Sequence, residues 1–307
     1  MPPPPVEAIA RVTPALQHVG RLLHASPYAA AVPLSREGAE RGVRRLLARY
    51  PSAAAHRNTQ SALRGLDLPC VLVVVMPPTT HGVTVLLLAN HPPDDREAWH
   101  LALDPERPLR WRGYEVTTAA EMHAEADLLR RPQPRRAGDA QRITWRLAED
   151  LREEYRHTIT RLVNSTRPAR RKRSQAAPPD GGPRPGTTRS LEGARAQLEA
   201  LGQHLATYPG LNGINVDRWM LRRHLERLWQ GQHPGHPPPA WPRYPYTRLL
   251  PVQLAPLAAL WPQEDRHAQD HHEAHQDDRP QGPGAAGGVR AAPRRREAAA
   301  ARGDHRH

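Results

Sequence analysis

Apolar residues recur at three- and four-residue intervals through the first third of the chain. Leu16, Val19, Leu22 and Leu23 follow Thr13-Pro14, a cap residue and a first-turn proline, and predict a helix over 14–24. Ser35 opens a second expected helix over 36–49, with Val43, Leu46 and Leu47 on one side and a stop before Tyr50-Pro51. Ser52 opens a third over 52–66. The period then changes. Residues 70–76 and 83–89 are nearly continuous β-branched and leucine runs around a short loop, the pattern of neighbouring strands buried on both faces. Weaker strand patterns cover 99–103 and 111–117, and Thr118 with Glu121 has the spacing of a capping box ahead of a helix ending near 130.

After a loop over 131–139, Leu147, Leu151, Tyr155, Ile159 and Leu162 read as one side of a long helix starting at Thr144. Residues 166–190 have no apolar periodicity and are rich in Pro, Gly, Ser and Arg, the composition of a flexible linker. Leu191, Ala194, Leu198, Leu201 and Leu205 then form one helical stripe, Tyr208–Gly213 breaks it, and Leu221, Leu225 and Leu228 share a face of a further helix over 214–230. The expected architecture is α+β. N-terminal helices with a small buried sheet occupy 1–165, a basic linker 166–190, a helical hairpin with a proline-rich arm 191–261, and a disordered tail 262–307.

Composition narrows the functional classes. Hydrophobic residues make up 38% and proline 35 of 307 residues, so less apolar surface than usual is available to offset the ordering of the backbone. The formal charge is +13, and because acidic and basic residues balance from Pro262 onward, the excess lies in 1–261. A field of that sign attracts nucleic acid, and guanidinium groups suit phosphate. Lys172 is the single lysine among the 44 basic residues and Phe is absent, so a global bias toward arginine explains part of the charge. Cys70, the only cysteine, excludes an intramolecular disulfide and reads as a small buried residue at the start of a strand. The start MPPPPVEAIAR lacks the pattern of a signal peptide, and the apolar runs are too short to span a bilayer. A cytoplasmic protein without a membrane segment is expected.

The best-defined basic face lies on the helix over 214–230. With Trp219 at zero and ~100° per residue, Leu221, Leu225 and Leu228 fall between about 180° and 240°, whereas Arg222, Arg223 and Arg227 fall at about 300°, 40° and 80°. Trp219, together with Arg218, Arg222, Arg223 and Arg227, then forms a candidate surface on which a base stacks while guanidiniums hold phosphates. The alternative is that the aromatic residues of 233–252 cover Trp219. A second candidate is the acid-free run of Arg161, Arg167, Arg170, Arg171, Lys172 and Arg173, suited to salt-sensitive phosphate contacts or else a solvated linker; Arg130, Arg131, Arg135 and Arg136 could extend it.

Catalytic signatures are weaker. No glycine-rich phosphate loop and no serine elbow occurs, so no cofactor is expected. His267, His271, His272 and His275 suit adventitious metal binding without a catalytic arrangement. His91, Asp94 and Asp95 after the second strand keep open a divergent metal-dependent nuclease.

The segments ITWRL (143–147), YPGLNGINVDRWMLRRHLERLW (208–229) and PRYPYTRLLP (242–251), taken with the basic linker between them, resemble uncharacterised proteins carried by bacterial plasmids and integrative conjugative elements. The resemblance covers roughly 140–252 and implies a genomic setting without naming functional residues. Three readings remain open: a non-catalytic DNA- or RNA-associated accessory protein of a mobile element, a structural adaptor for another protein, and the nuclease. In the first, 1–165 serves self-association or a protein partner.

Overall fold

The computed structural model describes residues 4–127, 142–166 and 190–261. The linker, the loop over 131–139 and the tail lie outside the described residues.

The two apolar runs form the edge strand β3 (Val71–Val75) and its inner neighbour β4 (Gly82–Ala89) in an antiparallel sheet ordered β3-β4-β2-β5, with β2 at Tyr28–Ser35 and β5 at His100–Leu101. Their continuous hydrophobicity has the expected cause. Leu72, Val74, Met76, Leu86 and Leu88 enter one core, and Val71, Val75, Val85, Leu87 and Ala89 enter another on the opposite face. Helix α1 (Val12–Leu22) contributes to the first core, and α2 (Ala39–Arg49) to the second, so the N-terminal helices cover both faces. The third expected helix is a 3-10 turn over Pro51–Ala54 followed by α3 (Arg57–Gly65).

Strand β2 lay in no predicted element because it carries three alanines and Pro33. Beyond Ala29 its second neighbour, β5, has ended, and the missing N–H of Pro33 breaks no ladder bond. Ser35 ends this strand and does not cap a helix through its side chain. The segment 111–117 is a hairpin: β6 (Arg110–Trp111) and β7 (Tyr114–Thr118) flank Arg112 and Gly113, whose φ values of +50° and +73° fit the tight turns that match strand twist. The capping box is formed, with Glu121 N–H donating to Thr118 Oγ1 at 3.2 Å and Thr118 N–H to Glu121 Oε2 at 3.1 Å, at the start of α4 (Ala119–Asp127).

ITWRL is a strand rather than the start of the long helix. It forms β8 (Ile143–Leu147), which pairs with β7 in a sheet ordered β6-β7-β8, and Ala148 separates it from α5 (Glu149–Asn164). The helical period from Leu151 onward extends back to Leu147 by coincidence of spacing. Helices α6 (Leu191–Ala206) and α7 (Asn212–Gln232) follow, and both pack on α5, while α7 also crosses β8. The segment expected as a separate helical unit therefore shares the core of the N-terminal part: Leu198, Leu205, Ile214, Leu221 and Trp229 join Leu16, Leu86 and Trp145 in one cluster. Finally β9 (Leu254–Pro256), ahead of the short α8 (Leu257–Leu260), pairs with β1 (Glu7–Ile9) near the chain start. Among the described residues no helix is long and apolar enough to cross a membrane.

Candidate nucleic-acid interface

Helix α7 divides its charged residues by depth. Asp217 and Arg218 are each 1% exposed, and Arg218 is not part of the basic surface predicted for this helix. Its Nη1 donates to Asn215 Oδ1 at 2.7 Å, its Nη2 to the carbonyl of Tyr208, and its guanidinium lies 4.5 Å from the centre of the Tyr244 ring. Burial pushes its pKa down, against the opposing effect of Tyr244, Tyr114 and Tyr208, and burial pushes the Tyr244 phenol up to about 12. Arg218 thus ties the proline-rich arm to the break before α7, work done inside the fold.

Asp217 anchors a second buried arrangement. Its Oδ1 accepts from Arg146 Nη2 and its Oδ2 from the Leu147 N–H, both at 2.8 Å. Both oxygens face groups that only donate, which is the environment of a carboxylate. Burial pushes this carboxyl up, against Arg146 and Arg152; burial also works against the charge on Arg146, but Asp217 and Glu125 prevail and raise its pKa. Arg152 donates to Glu115 at 2.9 Å and Arg146 contacts Glu125 at 2.7 Å. Residues of β7, α4, β8, α5 and α7 are pinned together in this way. For Glu125 burial raises the pKa, but Arg146, Arg152 and Arg156 outweigh it and hold the group below the usual carboxylate range.

The remaining members of the predicted α7 surface are accessible but engaged. Arg222 donates to Glu226 at 2.8 Å and Arg223 to the same carboxylate at 3.1 Å, while Arg223 lies 6.0 Å from the centre of the half-buried Trp219 ring. Arg227 and Arg161 are exposed. Arg167, Arg170, Arg171, Lys172 and Arg173 lie outside the described residues, as do Arg130, Arg131, Arg135, Arg136 and the tail histidines.

The histidine and aspartates after β4 are not gathered into a catalytic cluster. His91 Nε2 contacts Asp67 Oδ1 at 2.6 Å, and Asp94 Oδ1 accepts from the Tyr50 hydroxyl at 3.4 Å. Among the described residues no group of three His, Cys, Asp or Glu side chains is placed to hold a metal ion. Cys70 is buried at the start of β3, and burial pushes its thiol up.

The most coherent basic concavity is elsewhere. A cavity of about 620 Å³ opens between the end of α1, the start of β8, the first residues of α7 and the arm at 246–249. Arg21, His24 and Arg142 line it, all exposed, and among the described residues no Asp or Glu does. Among the described residues neither Arg21 nor Arg142 has an ion-pair partner. Its floor is rigid. Trp145 is 1% exposed and its Nε1 donates to the Leu16 carbonyl at 2.8 Å, fixing α1 on β8. Asn212 lines the cavity as the first residue of α7, whose N-cap Leu211 offers no side-chain acceptor; the Thr144 hydroxyl on β8 accepts from the Gly213 N–H at 3.3 Å instead, and the amide dipoles of the first turn favour negative charge. The arm is held by Gln17, whose Nε2 donates to the Arg248 carbonyl at 3.0 Å and whose Oε1 accepts from the Leu250 N–H at 2.9 Å. Thr247 N–H donates to the Gly210 carbonyl, so close that a Cβ on Gly210 would lie 2.4 Å from Pro245 O.

Sequence reasoning missed this cavity because its residues come from separate elements and none stands in a basic run. The signal available was modest: Arg21 is the basic residue in the last turn of α1, and Tyr246 is the aromatic residue nearest Arg248 in a segment too proline-rich to bury every ring. No family model, curated protein or solved structure matches the chain.

Proposed function

We propose that this chain is a non-catalytic, nucleic-acid-associated accessory protein of a mobile genetic element, acting in the cytoplasm and holding phosphates at the cavity lined by Arg21, His24 and Arg142. The observation that carries the reading is cationic side chains converging on a concave surface beside the start of α7, with no carboxylate among the described residues of its lining. The chain's charge of +13 supplies long-range attraction, and Arg227, Arg161 and the run 167–173 add positive charge. The mobile-element setting rests on the resemblance over 140–252.

The adaptor reading has one observation in its favour. An apolar cavity of about 640 Å³, lined by Val43, Leu47, Val73, Val75 and Val252 among others, lies along β3, whose outer edge has no strand partner among the described residues.

Fluorescence anisotropy with labelled oligonucleotides, titrated with salt and compared with heparin, tests the proposal. Binding at low salt that weakens log-linearly as salt rises, and weakens further on Arg21→Ala with Arg142→Ala, is expected. No binding at low salt, or binding indifferent to both substitutions, overturns it.

A further inference from the structure

We infer that the basic cavity takes single-stranded rather than duplex nucleic acid, with Tyr246 as the platform on which an unpaired base stacks. The inference rests on the proposed nucleic-acid reading and names its substrate class.

Tyr246 lines the same cavity as Arg21 and Arg142 yet is 69% exposed, and its neighbour Leu249 is 64% exposed. The other aromatic residues of this arm are committed. Tyr244 stacks on Arg218 and donates from its hydroxyl to the Gly202 carbonyl at 3.2 Å, and Trp241 packs against the core. Tyr246 is therefore the ring that this arm leaves to solvent, and burying it against a flat apolar partner returns surface to a dry environment. The arm carrying it is pinned by Gln17 and Thr247, so little ordering is needed on binding.

The dimensions favour one strand. A cavity of about 620 Å³ admits a ligand of nucleotide size, with its phosphate against Arg21, Arg142 and the start of α7 and its base toward Tyr246. A duplex presents phosphates but keeps the faces of its bases inside the stack, where Tyr246 cannot reach them. Only an unpaired base offers both groups at once.

The full chain is titrated with a short labelled single strand, as DNA and as RNA, and with the blunt duplex of the same length. Tighter binding of the single strand is expected. Tyr246→Ala lowers single-strand affinity roughly 5- to 150-fold, the range expected for removal of one base–aromatic stack, and leaves duplex affinity unchanged. Tyr246→Trp restores it, which a merely structural role for the hydroxyl would not allow. Equal or tighter duplex binding, or a Tyr246→Ala protein that binds the single strand as before, overturns the inference while the nucleic-acid reading stands. Absence of binding to either overturns both.

Discussion

Arg146, Arg152 and Arg218 lie in the interior of this molecule, each opposite a carboxylate, a carbonyl or an aromatic ring, whereas Arg21 and Arg142 lie exposed on a cavity wall with no carboxylate beside them among the described residues. The residue type is the same and the roles are opposite. In the interior the guanidinium exchanges water for fixed partners, and its removal strands those partners in a dry environment. On the cavity wall it keeps its water and its unbalanced charge, so its removal costs the fold little and a polyanion much. In a chain this rich in arginine, abundance carries little information, and the group facing each arginine carries most of it.

The comparison breaks most sharply at Asp217. Asp217→Ala leaves Arg146 without its fully buried counterion and is expected to destabilise the fold by about 3–5 kcal/mol, read as a lower urea midpoint. A loss under about 1 kcal/mol would show that the buried network does not hold α7 to β8. Arg218→Met, which keeps the stem but strands the Tyr208 carbonyl and Asn215, should cost about 1.5–3 kcal/mol, the range for hydrogen bonds to a charged group. Neither substitution touches the cavity lining, so whatever remains folded should bind oligonucleotides with the unaltered salt dependence.

The burial of Arg218 was legible before the structure. On the projection that puts Leu225 at about 240°, Arg218 falls at about 260° and Asp217 at about 160°, both within or beside the leucine side of α7. Charge alone suggested a surface; periodicity gave the right depth. The paired strands β3 and β4 and the capped start of α4 were legible because long apolar runs and a two-residue cap are local signals. Strands β2 and β8 were not, since alanine and proline obscure the one and a four-residue spacing from Leu147 to Leu151 joins the other to α5. The cavity is built by tertiary contact between α1, β8 and a proline-rich arm, and no periodicity records such contact.

On the exposed side, Arg21→Ala combined with Arg142→Ala should leave stability within about 0.5 kcal/mol of the parent. For every phosphate that the variant no longer holds, the slope of log affinity against log salt should fall by about 0.7 for a single strand and about 0.9 for a duplex. An unchanged slope would place the phosphates elsewhere, and a large stability loss would erase the distinction between the two sets of arginines.

Acid sharpens the same contrast. Burial, with neighbouring positive charge, lowers the pKa of His18, with Arg21 nearby, and of His224, with Arg227 and Arg156 nearby. His233 is lowered by burial with His236 beside it. A histidine depressed in the folded state contributes stability that is complete above its unfolded pKa of about 6.5 and is lost as pH falls through the folded value. The urea midpoint should therefore decline between neutral pH and about 5, and His224→Gln should flatten the decline. A midpoint that rises on acidification would contradict these shifts.

The smallest effect is expected at Arg222 and Arg223. Both are exposed and share Glu226, an arrangement worth at most about 0.5 kcal/mol on a helix surface. With Glu226 offsetting part of their charge, Arg222→Ala with Arg223→Ala should weaken oligonucleotide binding less than the Arg21 and Arg142 pair does. Glu226→Gln serves as the control: it frees both guanidiniums, so if they face bound phosphate, affinity rises. A double substitution on α7 that weakens binding more than the cavity pair would move the interface back to the Trp219 side of the helix. The arginines that matter would then be those held by a carboxylate until nucleic acid displaces it.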